Sequence, residues 1–238
     1  MAAFVFPPEA VVGLPVWQEE ALFPVRRIYC VGRNYAAHAR EMGGDPDREP
    51  PFFFCKHHDA RSVVPVRQGE TACLPYPGQT ENYHYETELV VAIGTGGANI
   101  PVAQAAEHIF GYAVGLDMTR RDLQAKMKEA GKPWEIGKAF DFSAPVGMVY
   151  PVGQTGVLSS AAIRLTVNEV EKQHGNMNQM TWSVAETISR LSELFRLCPG
   201  DLIFTGTPEG VGAVVPGDVL EAEIEGVGGI RVQIGQPE

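Results

Sequence analysis

Apolar residues along this chain recur with two periods, and the shorter one dominates. The segments RIYCVG, FFFCK, YHYETELVVAIG, IFGYAVGL, IRLTVNEVEKQ and DLIF are short and rich in β-branched and aromatic residues, which predicts strands. The C-terminal stretch PGDVLEAEIEGVGGIRVQI alternates on both sides of a glycine turn and predicts a β-hairpin. Helical spacing is rarer. NYAAHAREM predicts a short helix stopped by Gly43 and Gly44, and a second short helix is expected over 101–108, with proline near its first turn. Thr119 with Asp122 three residues on has the form of a capping box opening a helix to about Ala130. The strongest helix lies between 181 and 197, with Trp182, Ala185, Ile188, Leu191 and Phe195 on one stripe and Ser183 with Glu186 as its cap. DPDREPP reads as a polar loop and IGKAFD as a short strand or extended segment.

Strands outnumber helices, so the expected fold is a β-rich α+β domain. Residues 1–25 form a partly extended lead-in, and 26–238 a single domain, with no repeat or linker between. The formal net charge of −10 argues against nucleic acid or an anionic membrane as partner. No apolar run approaches a membrane-spanning length, and MAAFVFPPEAVVGLPVW lacks the basic start of a signal peptide, so the cytoplasm is expected. The four cysteines, Cys30, Cys55, Cys73 and Cys198, are scattered without CxxC spacing. They read as buried apolar residues, not as a disulfide frame or zinc site.

The chemistry concentrates in YHYETELVVAIG. Glu86 and Glu88 stand two apart, so a strand turns both to one face, with His84 one step earlier. Two carboxylates buried together need a cation or a shared proton; an exposed acidic edge is the plainer alternative. In IFGYAVGLDMT the small residues Gly111, Ala113 and Gly115 share a face with Asp117, as though that face bordered a space to be filled. Asp117 is then a third ligand, and three carboxylates favour Mg²⁺ or Mn²⁺ over zinc. It could equally cap the following helix.

His38 and Glu41 stand at i and i+3 on the short helix, the spacing of an imidazole oriented by a carboxylate for activating water, or of an ordinary surface pair. Lys138 lies among apolar residues and needs a partner; it could stabilise a developing oxyanion or enolate. Gln124 could orient water or substrate. The loop TGTPEGVG offers Thr205, Thr207 and backbone N–H groups to a carboxylate and is not a dinucleotide fingerprint. His57, His58 and Asp59 read as loop.

Taken in order, CVGRNYAAHAREMG, PPFFFCK, YHYETELVVAIG, GYAVGLDMTRRDLQ, KPWEIGKAFD and PGDLIFTGTPEGVG resemble the fumarylacetoacetate hydrolase family, from about Arg26 to the C-terminus. The resemblance implies a mixed β-roll with a few short helices, usually homodimeric, with Mg²⁺ or Mn²⁺ held by Glu86, Glu88 and Asp117. It implies a catalytic dyad of His38 and Glu41, substrate contacts from Lys138 and Gln124, and Thr207 on a pyruvate carboxylate. One departure is visible: His57 stands where the family often has proline or serine.

The implied reaction is hydrolysis of a carbon–carbon bond in a 3-acylpyruvate, a small 2-oxo acid. The expected case is fumarylpyruvate cleaved to fumarate and pyruvate, in the gentisate route of aromatic degradation. The alternatives on the same fold are acetylpyruvate hydrolysis, oxaloacetate decarboxylation and dienedioate isomerisation. Because fumarylpyruvate has a second carboxylate, a cation is expected at the outer end of the pocket. Arg40, Lys56, Arg61 and Arg121 are the candidates, with Arg121 and Lys56 the expected substrate contacts.

Overall fold

The computed structural model describes residues 3–43 and 49–237. Gly44 and most of the DPDREPP loop lie outside the described residues. The run LVVAI dictates the centre of the molecule. The Thr87–Ile93 strand is buried along its whole length, and its alternate side chains enter two cores. Leu89, Val91 and Ile93 enter one, and Val90 and Ala92 the other. A strand apolar on both faces has to be covered on both.

It lies within an eight-stranded mixed sheet whose order is Phe52–Lys56, Arg27–Gly32, Asp201–Phe204, Thr87–Ile93, Ile109–Leu116, Ala144–Val146 and Val63–Pro65, with Tyr150–Pro151 also paired to Ile109–Leu116. A five-stranded sheet supplies much of the first core; its order is Val170–Asn176, Ala162–Val167, Val219–Ile224, Gly228–Pro237 and Thr71–Tyr76. The expected C-terminal hairpin is part of it. Leu220, Ala222 and Ile224 point inward while Glu221 and Glu223 face solvent. The second core receives Val12, Leu14, Val16, Phe23 and Val25 from the lead-in, which forms its own hairpin of Gly13–Pro15 and Leu22–Pro24. A small third sheet joins Thr119–Arg120, Tyr83–Tyr85 and Gly212–Val214.

The helices are short: α1 (Ala36–Glu41), α2 (Arg121–Glu129), α3 (Glu135–Lys138), α4 (Val152–Thr155) and α5 (Val184–Leu194), with a 3₁₀ turn over Val102–His108. The capping box expected at Ser183 and Glu186 opens α5. Ile188 and Leu191 of the expected stripe are buried, whereas Phe195 ends the helix and is 40% exposed. Among the described residues, no helix is long and apolar enough to cross a membrane.

Three local expectations need correction. IGKAFD is not extended: residues 135–138 form α3. A four-residue helix has no periodicity to read and depends on its packing for stability. That packing is close, since a Cβ on Gly137 would lie 2.8 Å from the Gln124 backbone nitrogen of α2. Thr119 does not cap α2. It is still in a strand paired with His84, and its hydroxyl donates to the Asp117 carbonyl and accepts from Lys138. Finally, the small-residue face of Ile109–Leu116 borders no empty space. A Cβ on Gly115 would lie 2.6 Å from Val90 Cγ2 and 2.8 Å from the Phe204 ring, and Gly111 lies against the Tyr150 carbonyl. Neighbouring protein fills the room.

Candidate active site

Glu86 occupies the single-residue break between Tyr83–Tyr85 and Thr87–Ile93. The antiparallel register sets Thr87 opposite Leu116, and one step further the Asp117 N–H donates to the Glu86 carbonyl at 2.9 Å. Strand alternation turns Glu88 to the same side as Glu86. Carboxylate oxygens of Glu86, Glu88 and Asp117 all come within 4.8 Å of one another, and all three residues are buried. The acidic-edge alternative is thereby excluded, and Asp117 is not a helix cap.

Cations hold the outer sides of these carboxylates. Lys138 Nζ donates to Glu86 Oε2 at 2.8 Å, Asp117 Oδ2 at 2.7 Å and the Thr119 hydroxyl at 2.8 Å. Arg121 pairs with Glu86 Oε1. Lys56 Nζ stands 2.8 Å from Asp117 Oδ1, but off the hydrogen-bond direction, so that buried oxygen accepts no hydrogen bond. Among the described residues, Glu88 has only the Gly206 N–H, at 2.7 Å, on its Oε2.

Glu86 and Glu88 therefore titrate apart. Burial would raise Glu86, but the charges of Lys138 and Arg121 outweigh it and hold the carboxyl well below the usual range. Burial raises Glu88 far above that range, and the nearby Asp117 and Glu86 charges add to it. Burial would lower Lys138; Asp117 and Glu86 reverse this and keep it charged. Three buried carboxylates within 4.8 Å of one another, with a Glu88 carboxyl that has too little positive charge nearby, form a donor set that fits a hard divalent cation. The surrounding cations fix the directions of Glu86 and Asp117, and the Gly206 N–H that of Glu88.

The dyad expected on α1 is formed. His38 Nδ1 lies 3.1 Å from Glu41 Oε2; a carboxylate can only accept, so Nδ1 carries a proton, and Nε2 is the nitrogen whose lone pair is available in the neutral ring. Glu41 also accepts from the Gly210 N–H, at 3.1 Å through Oε1, joining α1 to the glycine loop. Asn34, just before α1, holds the other end of that loop. Its amide donates to Thr205 O at 2.7 Å and Trp182 O at 2.9 Å, and accepts from Trp182 N at 2.8 Å.

One cavity gathers His38, the acidic triad, Arg121, Gln124, Lys138 and Thr207. Thr207 is prepared as a donor. Gln173 Oε1 accepts from the Thr87 N–H, so its amide nitrogen faces the Thr207 oxygen at 2.8 Å. That oxygen is thereby used as an acceptor, and its own proton is left for a ligand. Gln124 accepts from Arg121 at 2.8 Å.

Lys56 is a correction. It is buried behind Asp117, also bonds the Met118 and Lys138 carbonyls, and does not line the cavity. Arg61 is exposed beside Asp141, and Arg40 is exposed on α1. His84 packs against Asn82 and Arg121, and burial, with Arg121 beside it, lowers its pKa to about 4. His57 and His58 form exposed loop. The cysteines are free, as expected, but only Cys30 is buried; Cys55 and Cys73 are exposed and Cys198 half-buried. Burial pushes Cys30 well up, which keeps its thiol unreactive.

Sequence reasoning missed Arg33, Lys128, Phe54 and Trp134 in the cavity wall, together with Gln173 and Asn34 behind it. Lys128 carried a usable signal, being seven residues, about two helical turns, beyond Arg121.

The mixed strand roll and its acidic floor define a metal-binding hydrolase fold of one family: the chain belongs to the fumarylacetoacetate hydrolase family, whose C-terminal domain profile matches residues 27–235. It is similar to the fumarylpyruvate hydrolase of a Ralstonia species, 44% identical over 199 residues, covering 83% of this chain and all of the relative. A crystal structure of fumarylpyruvate hydrolase from Pseudomonas aeruginosa in complex with Mn²⁺ and pyruvate is 60% identical. It superposes with a TM-score of 0.96 over 98% of this chain and all of the other. An oxaloacetate tautomerase of Escherichia coli is 37% identical, over 88% of this chain and 94% of the relative.

Proposed function

We propose that this protein hydrolyses the carbon–carbon bond of a 3-acylpyruvate, converting fumarylpyruvate and water to fumarate and pyruvate at the end of the gentisate route. Glu86, Glu88 and Asp117 would hold Mg²⁺ or Mn²⁺. When bound, such an ion draws electron density from the 2-oxo acid end of the substrate as a Lewis acid. The observation that carries the reading is the His38–Glu41 pair at 3.1 Å, in the same cavity as three clustered carboxylates. The two fumarylpyruvate hydrolases at 60% and 44% identity support the choice of substrate.

His38 Nε2 takes a proton from water, with Glu41 holding the ring and stabilising the imidazolium. The hydroxide attacks the acyl carbonyl carbon next to the fumaryl double bond. When the adduct collapses, the bond to the pyruvyl methylene breaks and its electron pair leaves as the pyruvate enolate. Lys138 lies at the triad to stabilise that negative charge, and the proton on His38 is returned to the leaving carbon. Thr207 donates its hydroxyl to the pyruvate carboxylate, and Gln124, fixed by Arg121, orients the chain. General-base assistance of this kind contributes about 10²–10⁴ in rate.

The tautomerase relative supports a second reading, in which the site acts on oxaloacetate. Decarboxylation needs no base, so the dyad favours hydrolysis over it; tautomerisation would use the same base on carbon, and the choice against it rests on the two fumarylpyruvate hydrolases. Fumarylpyruvate mixed with protein and Mn²⁺ should lose its enol absorbance, and chelator should stop the loss. Turnover of oxaloacetate with none of fumarylpyruvate would overturn the proposal.

A further inference from the structure

The cavity wall carries four cationic side chains, Arg33, Arg121, Lys128 and Lys138, against three carboxylates. Arg121 and Lys138 are committed to Glu86 and Asp117. Arg33 and Lys128 have no carboxylate partner among the described residues. The Arg33 guanidinium lies 5.8 Å from the Phe52 ring centre, and Lys128 Nζ donates to the Met42 carbonyl at 3.2 Å. Arg33 also sits at φ +56°, a backbone conformation that costs free energy in a residue other than glycine and is found disproportionately at ligand sites.

Helix α2 sets the distance between the two ends of the cavity. Arg121, Gln124 and Lys128 recur at helical spacing, and all three line the cavity, so one stripe of α2 runs along it. Arg121 touches the triad. Lys128 is seven residues later, which is roughly 10 Å along the helix axis. The extended seven-carbon chain of fumarylpyruvate spans roughly 8 Å between its terminal carbons. A substrate whose pyruvyl end is at the triad therefore carries its other carboxylate to the level of Lys128. Trp134 and Phe54 also line the cavity, their rings 5.9 Å apart with Phe52 packed 5.1 Å from Trp134, an aromatic wall suited to a conjugated double bond.

We infer that Arg33 and Lys128 form the subsite for the distal carboxylate and select 3-acylpyruvates that end in an acid. The inference rests on the acylpyruvate reading above, and it replaces Arg40, Lys56 and Arg61, which face elsewhere.

Arg33→Gln and Lys128→Gln test it, with fumarylpyruvate compared against acetylpyruvate, which lacks the second carboxylate. Losing a charged hydrogen-bond partner should raise KM for fumarylpyruvate about tenfold or more. The kcat, and both constants for acetylpyruvate, should stay within about threefold of the unmodified protein. Lys128→Arg should restore the preference. Equal losses on both substrates, or no loss on either, would overturn the subsite. If the unmodified protein binds both acids without cleaving them, the hydrolase reading fails. The ratio of their dissociation constants, followed by calorimetry in Mn²⁺, then reads the subsite: it should fall toward one in the variants, and an unchanged ratio would refute it.

Discussion

Lys56 and Asp117 stand 2.8 Å apart with both side chains almost wholly buried, and the ammonium also bonds the Met118 carbonyl at 3.2 Å. The lysine holds a site carboxylate from behind without entering the cavity. Removing it takes the cation from one buried oxygen of Asp117 while Lys138 still holds the other, so Lys56→Met should destabilise the metal-free fold by about 1–3 kcal/mol. Urea denaturation reads this directly, and an unchanged midpoint would show that the pair contributes nothing.

Chemistry and metal binding should separate at α1. His38→Ala should lower turnover by about 10²–10⁴ while leaving Mn²⁺ affinity near its original value. Steady-state kinetics beside a metal titration distinguishes the two effects; wild-type turnover would remove His38 from the mechanism.

Stability without metal should depend on Glu88. Its folded pKa is raised by burial and by the Asp117 and Glu86 charges, so in the metal-free protein the folded state favours the protonated carboxyl. The associated stability is fully present below the ordinary glutamate pKa and is lost as pH rises through the elevated folded value. Glu86 runs the other way, its contribution disappearing only in strong acid, because its folded pKa is depressed. The melting temperature of chelator-treated protein should therefore fall as pH rises above the ordinary carboxylate range, and Glu88→Gln should flatten that slope. Mn²⁺ binding should release a proton, seen as a buffer-dependent heat in calorimetry.

The closely packed face of Ile109–Leu116 offers a test with no chemistry in it. A Cβ on Gly115 meets Val90 and Phe204 below 3 Å, so Gly115→Ala should cost about 1–3 kcal/mol through overpacking. Thermal melting measures the loss, and a variant as stable as the parent would mean that Phe204 can move aside.

The legible part of the site was the part set by local periodicity. Strand alternation put Glu86 and Glu88 on one side, and helical spacing joined His38 to Glu41. Asp117 was found for a mistaken reason: the glycines before it admit Phe204 and Val90, not a ligand. Lys56 was misplaced because its partner, Asp117, is distant in sequence and follows a strand that is not its neighbour in the sheet. α3 was read as extended since four residues carry no period, and only contact with α2 makes them helical. Gln173 was invisible for a similar reason: its amide crosses from the five-stranded sheet to Thr207.

Glu41 divides its carboxylate between His38 and the Gly210 N–H. The residue that would orient the proposed base is also a latch between α1 and the loop carrying Thr207. One carboxylate thus ties the group that would activate water to the loop that would hold the substrate. If His38 is the base, a change that loosens the glycine loop should therefore reach the imidazole through Glu41, with every ligand carboxylate still in place.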